Sequence, residues 1–217
     1  MPLQAIVFDC DGVILDSVPV KTRAFARLAE PFGEEARDRF VMYHTVHGGV
    51  SRYRKFEWFF REVLGREITP EESKEWGERF AAYALDEVRR CALIPGIAGV
   101  LEDWRERLPL YVCSGAPQEE VRLVLEERGL SGSFRGVFGS PPAKAVLLAR
   151  IVSEAGLDPA DVLMVGDAVT ERRGRSRHPV LRHRRGAAWR QFPVGHGRHG
   201  PFRLDRGACV AWARQDF

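Results

Sequence analysis

The stretch that decides the fold lies at the start of the chain, where Leu3-Gln4-Ala5-Ile6-Val7-Phe8 runs directly into Asp9-Cys10-Asp11-Gly12. The first six residues are mostly apolar and include β-branched members, which predicts a strand buried on both faces of a parallel sheet. The polar residues that follow predict a loop. Ligands bind at the carboxyl ends of the strands in open parallel sheets, so two carboxylates at this position indicate a binding site.

The chain beyond this strand shows two patterns up to about residue 170. Residues 19–90 have helical periodicity, with Ser51 as the cap of one helix and Thr69-Pro70-Glu71-Glu72 as the capping box of the next. Beyond residue 95 helices alternate with strands, which is typical of a parallel α/β sheet. The predicted strands are 110–113, 136–138 and 162–165, and the predicted helices are 97–107, 117–128 and 143–155. We therefore expect an α/β fold with a doubly wound, Rossmann-like parallel sheet from residues 1–16 and 94–170, and an inserted α-helical cap at 17–93.

Composition and charge narrow the class of protein. The 217 residues are 45% hydrophobic and 29% charged, as in soluble globular proteins. No apolar run approaches the ~20 residues of a membrane span, and the N-terminus has no signal-peptide pattern. Four scattered cysteines without a C-x-x-C pair favour a reducing compartment. We therefore expect a cytoplasmic protein without a membrane partner.

The other predicted strands also end in polar residues. Ser114-Gly115 follows the second strand, Gly166-Asp167 follows the fourth, and Lys144 begins the helix after the third. These residues should converge with the two carboxylates after the first strand at one edge of the sheet. Carboxylates suit a hard cation such as Mg²⁺, whereas a hydroxyl, loop amides and a lysine suit a phosphate group.

These residues resemble the four motifs of the haloacid dehalogenase superfamily. Asp9-Cys10-Asp11-Gly12-Val13, Ser114, Lys144 and Gly166-Asp167 occur in the order and spacing of that family. The segment Ile6–Ser17 is similar to the opening of the phosphoglycolate phosphatase and β-phosphoglucomutase-like branch, which carries its cap where the helical insertion lies. The resemblance covers residues 3 to about 170.

The resemblance implies a mechanism for phosphate ester hydrolysis. Asp9 would attack phosphorus and form an aspartyl-phosphate, and Asp11 would protonate the leaving oxygen and then activate water. A carboxylate close to a phosphate is repelled by about 4 kcal/mol for each pair of unit charges at ~4 Å and an effective dielectric of ~20. Mg²⁺ and Lys144 would offset that repulsion.

The same resemblance assigns the remaining ligands. Mg²⁺ would be held by the Asp9 carboxylate, the Asp11 backbone carbonyl and Asp167, while Ser114 and the Gly115 amide would hold the phosphoryl oxygens. The chain departs from the family at Glu171, where another Asp is usual. The longer Glu side chain is a candidate metal ligand that would act through water.

The cap should set the choice of substrate. Gly48 and Gly49 precede a helix N-terminus, where backbone amides can approach an anion. Arg52 and Lys55 follow them, and Arg52 is a candidate for binding a carboxylate or a second phosphate. The alternative is an ordinary glycine turn with a solvent-exposed arginine. We expect the Phe56, Phe59 and Phe60 stripe to form cap core, and His44 and His47 not to bind metal.

The C-terminal part differs in composition from the rest. Residues 171–217 contain 12 Arg, no Lys and three acids, a net charge of +9 against −6 for residues 1–170. With permissible codon choices, residues 172–184 read one nucleotide downstream give an alanine-rich helix and then a strand, which the family has at this place. We hypothesise a frameshift near Glu171, and expect no regular elements beyond it, poor order or altered packing beyond about 172, and weak stability. The alternative is a genuine basic tail that binds nucleic acid.

The function that these observations favour is hydrolysis of a small phosphorylated metabolite, with Mg²⁺ as cofactor and no nucleic-acid partner. A sugar phosphomutase of the same branch is the first alternative. A dehalogenase is disfavoured because that branch needs neither the second Asp nor a metal. A non-catalytic binding protein with an altered C-terminus is the third.

Overall fold

The computed structural model describes residues 3–167 and the backbone of the strand at 180–182. Its sheet has five parallel strands in the order β3-β2-β1-β4-β5. The strands are β1 (Ala5–Phe8), β2 (Leu110–Pro117), β3 (Gly136–Ser140), β4 (Val162–Gly166) and β5 (Val180–Arg182). The first strand lies in the centre and the chain winds outward on both sides of it, so the predicted doubly wound sheet is confirmed.

The apolar run of β1 is explained by burial on both faces. Ile6 and Phe8 belong to one hydrophobic cluster, whereas Ala5 and Val7 belong to a second one. Alternate residues of a strand point to opposite faces, so a central strand covered on both sides has no position for a polar residue. Ile6 is in register with Leu110 of β2 and Leu163 of β4.

Among residues 3–167, three helices pack on the two faces of the sheet. They are α5 (Ile97–Arg105), α6 (Gln118–Glu127) and α7 (Lys144–Ala155). Helices α5 and α6 contribute buried residues to the cluster that contains Phe8, and α7 contributes to the cluster that contains Val7. Gly156 ends α7 in the left-handed conformation, with φ of 65°.

The segment between β1 and α5 is helical. It contains α1 (Val18–Ala29), α2 (Glu34–Val46), α3 (Arg52–Glu62) and α4 (Pro70–Arg90), which we call the cap helices. The predicted N-terminal capping of two helices is confirmed. The Ser51 side chain accepts from the Tyr53 amide at the start of α3, and Thr69 and Glu72 form the capping box at the start of α4. Among residues 3–167, no helix is both long and apolar enough to cross a membrane.

Aromatic side chains fill the interior of the cap helices. The buried members are Phe25, Phe40, Phe56, Phe59, Phe60, Trp76 and Phe80. Their rings meet edge-on or tilted, with 4.6 Å between the centroids of Phe25 and Phe80. The prediction that the phenylalanine stripe of α3 is cap core is therefore confirmed.

The two connections between the cap helices and the sheet run side by side. The Asp16 amide donates to the Ala92 carbonyl over 2.9 Å, and the Ile94 amide donates to the Ile14 carbonyl over the same distance. These bonds tie the beginning and the end of the helical segment together next to β1.

Two expectations about strands are wrong. Strand β2 continues through Pro117, so Ser114 and Gly115 lie inside it, because Ser140 of β3 pairs with Pro117 after an irregularity in the register. The expectation that no strand follows residue 171 also fails, since the backbone at 180–182 pairs with β4, whose outer edge would otherwise lack a partner. Apart from this strand, residues 168–217 lie outside the described part of the chain. The frameshift hypothesis, the expected order of the tail and the metal role of Glu171 all concern these residues and stay predictions.

Candidate active site

Asp9 is held in a fixed orientation at the carboxyl end of β1. Its amide continues the β-sheet by donating to the Val165 carbonyl over 2.8 Å, and its side chain is only 2% exposed. Oδ1 accepts from the Cys10 amide over 2.7 Å, and Oδ2 accepts from Lys144 Nζ over 2.6 Å. The first residue of α7 therefore supplies a positive charge directly to this carboxylate.

Asp11 lies in a second ion pair. Lys21 Nζ donates to Oδ2 and Ser17 Oγ donates to Oδ1, each over 2.5 Å. Burial pushes the pKa of Asp11 upward, but the charge and hydrogen bond of Lys21, together with the Ser17 hydroxyl, outweigh it and leave the pKa below its usual value. Lys21 was missed in the sequence, although it follows Ser17, the residue directly before α1, by four positions, a spacing that places two side chains on one side of a helix.

Asp167 lies against the loop that follows β1. It is 5% exposed, and a methyl side chain at position 12 would come within 2.6 Å of its Oδ2 atom. Gly12 has φ of 75°, which favours glycine for a second reason. Asp9 and Asp167 thus follow adjacent strands, and both carboxylates are buried at the same edge of the sheet.

Ser114 and Gly115 form the neighbouring part of this edge on β2. Ser114 is fully buried, and its Oγ accepts from the Ala116 amide over 3.1 Å. A methyl side chain on Gly115 would lie 2.3 Å from the Gly49 carbonyl oxygen. The backbone between α2 and α3 therefore rests directly on β2, which only a glycine at position 115 permits.

A cavity lies between the sheet edge and the cap helices, with about 540 Å³ of empty space that includes its opening to solvent. All four of the predicted cap residues line it, and so do Asp11, Gly115 and Asp167; the cap residues are Gly48, Gly49, Arg52 and Lys55. Asp9, Ser114 and Lys144 are not among the described residues of its lining, although Lys144 contacts Asp9. The structure therefore brings the cap candidates and part of the rim together around one space.

Arg52 is buried, so the alternative of a solvent-exposed arginine is wrong. Its guanidinium binds both carboxylate oxygens of Glu120 on α6 and stacks over the Phe80 ring, 4.5 Å from the centroid. Lys55 is 3% exposed and donates to His44 Nδ1 over 2.9 Å. The sequence did not identify Glu120 as the partner of Arg52 or His44 as the partner of Lys55. The two residues of each pair lie 68 and 11 positions apart, so no local pattern joins them.

The oxygen atoms at the sheet edge fit a magnesium ion. Across residues 3–167 no three Asp, Glu, His or Cys side chains are grouped so that they could hold a metal by themselves. Mg²⁺ does not require such a group, since it is usually bound by one or two carboxylates and keeps several waters. The buried carboxylates of Asp9 and Asp167 on adjacent strands match that need.

A comparison with protein families gives the class of this protein. The model of the haloacid dehalogenase-like hydrolases matches residues 3–174. The chain belongs to this family and is an enzyme, a hydrolase.

Relatives with assigned activities indicate the branch of the family to which the chain belongs. The chain is 28% identical over 169 residues to the phosphoglycolate phosphatase of Synechococcus elongatus, covering 76% of this chain and 75% of that protein. It is 30% identical over 183 residues to the phosphoglycolate phosphatase of Rhodospirillum rubrum, covering 77% and 73%. The chain is thus a phosphatase-type hydrolase of the phosphoglycolate phosphatase-like branch, and the resemblance seen in the sequence is confirmed.

Solved structures confirm the fold. The β-phosphoglucomutase from Clostridium difficile superimposes with a TM-score of 0.67 at 18% identity, covering 82% of this chain and 83% of that one. A predicted phosphoglycolate phosphatase from Haemophilus somnus gives a TM-score of 0.58 at 21% identity, covering 76% and 77%.

Proposed function

We propose that this enzyme hydrolyses a small phosphorylated metabolite with Mg²⁺, through an aspartyl-phosphate formed on Asp9. The observation that carries the proposal is the fixed Asp9 carboxylate with Lys144 Nζ 2.6 Å from its Oδ2 atom. A nucleophilic carboxylate must approach an anionic phosphate, and a lysine at this place offsets part of the repulsion between them.

In the first step a carboxylate oxygen of Asp9 forms a bond to phosphorus while the bond to the ester oxygen breaks. Asp11, in its protonated form, gives its proton to that leaving oxygen. In the second step the Asp11 carboxylate takes a proton from water, whose oxygen bonds to phosphorus while the bond between the Asp9 oxygen and phosphorus breaks. Phosphate is released, the Asp9 carboxylate is restored, and Asp11 is protonated again for the next cycle. The ion pair with Lys21 stabilises the carboxylate form that the second step requires, and it makes the protonated form that acts in the first step the minor one.

Asp9, the Asp11 backbone carbonyl and Asp167 are the proposed magnesium ligands. The ion, when bound, supplies positive charge that stabilises the charge on the transferred phosphoryl group. Gly12 supports this arrangement because its missing side chain leaves room for the Asp167 carboxylate.

Ser114, Gly115 and Lys144 are the proposed phosphoryl-binding residues. The Ser114 oxygen accepts from the Ala116 amide, so its hydroxyl hydrogen can be directed at a phosphoryl oxygen. Lys144 contacts Asp9 and can contact the same phosphoryl group during the transfer. Phosphoglycolate appears in the names of the curated relatives, and it is the first metabolite to test.

A sugar phosphomutase is the second candidate. The contact of the Gly49 carbonyl with Gly115 closes the cap helices onto β2, and a mutase requires a closed site that keeps water from the phosphorylated aspartate. Release of inorganic phosphate, or instead an isomeric sugar phosphate, separates the two activities.

The test is hydrolysis of p-nitrophenyl phosphate by the purified protein, with Mg²⁺ and after its removal with a chelator. We expect turnover only with Mg²⁺, and its loss in Asp9→Asn. Asp103→Asn, the same chemical change at an exposed position of α5, is the matched control and should retain activity. Full activity of Asp9→Asn would contradict the proposal.

A further inference from the structure

A polar groove lies at the amino end of the sheet, opposite to the proposed active site. It is formed where α5 ends, where β2 begins at Leu110 and where the chain enters β3, and it has about 660 Å³ of empty space that includes its opening to solvent. Leu110 and Ser114 are four residues apart on β2, which corresponds to about 13 Å along a strand. A phosphate ion in this groove would therefore be separate from one bound at Ser114.

Arginine side chains give this groove a positive charge. Arg105, Arg107 and Arg135 line it, and Glu106 is the only acidic residue among the described members of its lining. Glu106 is 80% exposed and lies 3.5 Å from Arg105. The lining thus carries a net positive charge, whereas residues 1–170 as a whole carry −6. A positive groove on an acidic body raises the local concentration of anions.

Two of these arginines have no carboxylate partner in the described part of the chain. Within residues 3–167, no carboxylate lies at ion-pair distance from the guanidinium of Arg107 or Arg135. Most other arginines of this range do contact a carboxylate, and examples are Arg23 with Glu87, Arg66 with Glu72 and Arg150 with Glu154. The groove therefore contains two guanidinium groups that can accept an anion without first losing an ion pair.

The end of α5 explains only part of this cluster. Basic residues near a helix C-terminus interact favourably with the last carbonyl groups, which accounts for Arg105 and Arg107. Arg135 comes from a different part of the chain, and its amide donates to the Leu110 carbonyl over 2.8 Å. Arg107 is oriented by the Trp104 ring, whose centroid lies 5.7 Å from the guanidinium carbon. Separate contacts thus bring arginines from two segments to one groove.

The chemistry of the guanidinium group indicates the ligand. Its planar set of N–H donors matches two oxygens of a phosphate, and such charge-assisted hydrogen bonds are stronger than neutral ones. Two guanidinium groups can bind different oxygens of one phosphate dianion. Phe134 lies in the same lining and packs edge-on against Phe8, with 6.5 Å between the ring centroids. It adds an apolar surface for an organic group attached to the phosphate.

We propose that this groove is a second anion-binding site, which holds a phosphate group through Arg107 and Arg135. The phosphate group belongs either to inorganic phosphate or to a small phosphate ester. The site takes no part in the proposed catalytic steps, because its residues and those of the proposed active site lie at opposite ends of the same strands.

The test is a titration of the full-length, ¹⁵N-labelled protein with inorganic phosphate, followed by NMR of the backbone amides in the presence of a chelator. We expect saturable shifts at the amides of Arg107, Gly132 and Arg135. The expected Kd is about 1 mM or lower, the affinity that two charge-assisted hydrogen bonds provide. Sodium chloride at equal ionic strength should give only small shifts that do not saturate.

A pair of double variants tests the role of the arginines. Arg107→Gln combined with Arg135→Gln should weaken phosphate binding in the groove by roughly tenfold or more. Arg54→Gln combined with Arg122→Gln removes the same number of charges at exposed positions of α3 and α6, and it should bind phosphate like the wild type. The amide spectrum of each variant also verifies that the variant is folded.

Adenosine 5′-monophosphate, titrated under the same conditions, separates the two sources of the phosphate group. Tighter binding than inorganic phosphate, with a shift at Phe134, assigns the groove to a phosphate ester, whereas equal or weaker binding assigns it to inorganic phosphate.

Two results would overturn the inference. One is the absence of saturable shifts at the groove with either compound, and the other is equal phosphate affinity of the two double variants. Since the titrations contain neither Mg²⁺ nor turnover, these results leave the proposed function untouched.

Discussion

At the scale of single residues, the carboxyl end of the sheet concentrates charge in buried positions. Asp9 and Asp167 are almost completely inaccessible, although isolated buried carboxylates are strongly unfavourable. Lys144 compensates Asp9 directly, and Lys21 compensates Asp11 one helical turn into α1. Such compensated carboxylates at a sheet edge are characteristic of a reaction site, because stability alone would be served better by apolar residues.

Gly12 is a position where a single methyl group should disturb both stability and metal binding. In Gly12→Ala the new Cβ would lie 2.6 Å from Asp167 Oδ2, and φ would remain at 75°. We expect a loss of about 1–3 kcal/mol in the free energy of unfolding, measured with urea, and a higher Mg²⁺ concentration for half-maximal turnover.

Gly99→Ala is the control for that substitution. Gly99 lies in α5 with open space around its Cβ position and should gain up to about 1 kcal/mol from helix propensity. Equal stabilities of the two alanine variants would contradict the close contact between Gly12 and Asp167.

At the scale of elements, α6 connects the sheet to the cap helices. Glu120 binds Arg52 at the start of α3, Glu127 binds Arg89 near the end of α4, and Arg128 donates to the Cys91 carbonyl just beyond α4. Two of these contacts come from α6 and the third from the residue directly after it, and they reach the start of α3 and the end of α4. They stabilise the closed arrangement in which Gly49 rests on Gly115.

The pair of Arg52 and Glu120 should contribute measurably to stability. Glu120→Gln removes the charge that compensates a guanidinium only 5% exposed, and we expect a loss of about 1–3 kcal/mol in unfolding free energy. Glu119→Gln, one position earlier and 82% exposed, should change it by no more than about 0.5 kcal/mol. Similar effects of both substitutions in urea unfolding would show that the buried pair is unimportant.

The elements that the sequence predicts well carry their own local signals. Ser51, the Thr69 capping box and Gly156 mark helix ends through bonds to residues at most four positions away. The extension of β2 beyond Cys113 could not be predicted in this way, because it depends on pairing with Ser140.

At the scale of the whole molecule, the sheet edge and the cap helices meet around the cavity that the predicted cap residues line. The motif residues could be predicted because their strands end at a common edge. The partners of the cap residues could not, since Arg52 meets Glu120 across 68 positions of sequence and only tertiary packing brings them together. The division into a sheet domain at 1–16 and 94–170 and a cap at 17–93 remains our proposal, supported by the paired connections at Asp16 and Ile94.

The central claim is that the transferred phosphoryl group becomes covalently bound to Asp9. The most direct test is to quench the Mg²⁺-dependent reaction with acid during turnover and to locate phosphoryl groups on the chain by peptide mass spectrometry. We predict a phosphorylated Asp9 that disappears on treatment with hydroxylamine and is absent from Asp9→Asn. Turnover without any phosphorylated Asp9, or a phosphoryl group on another residue, would contradict the account.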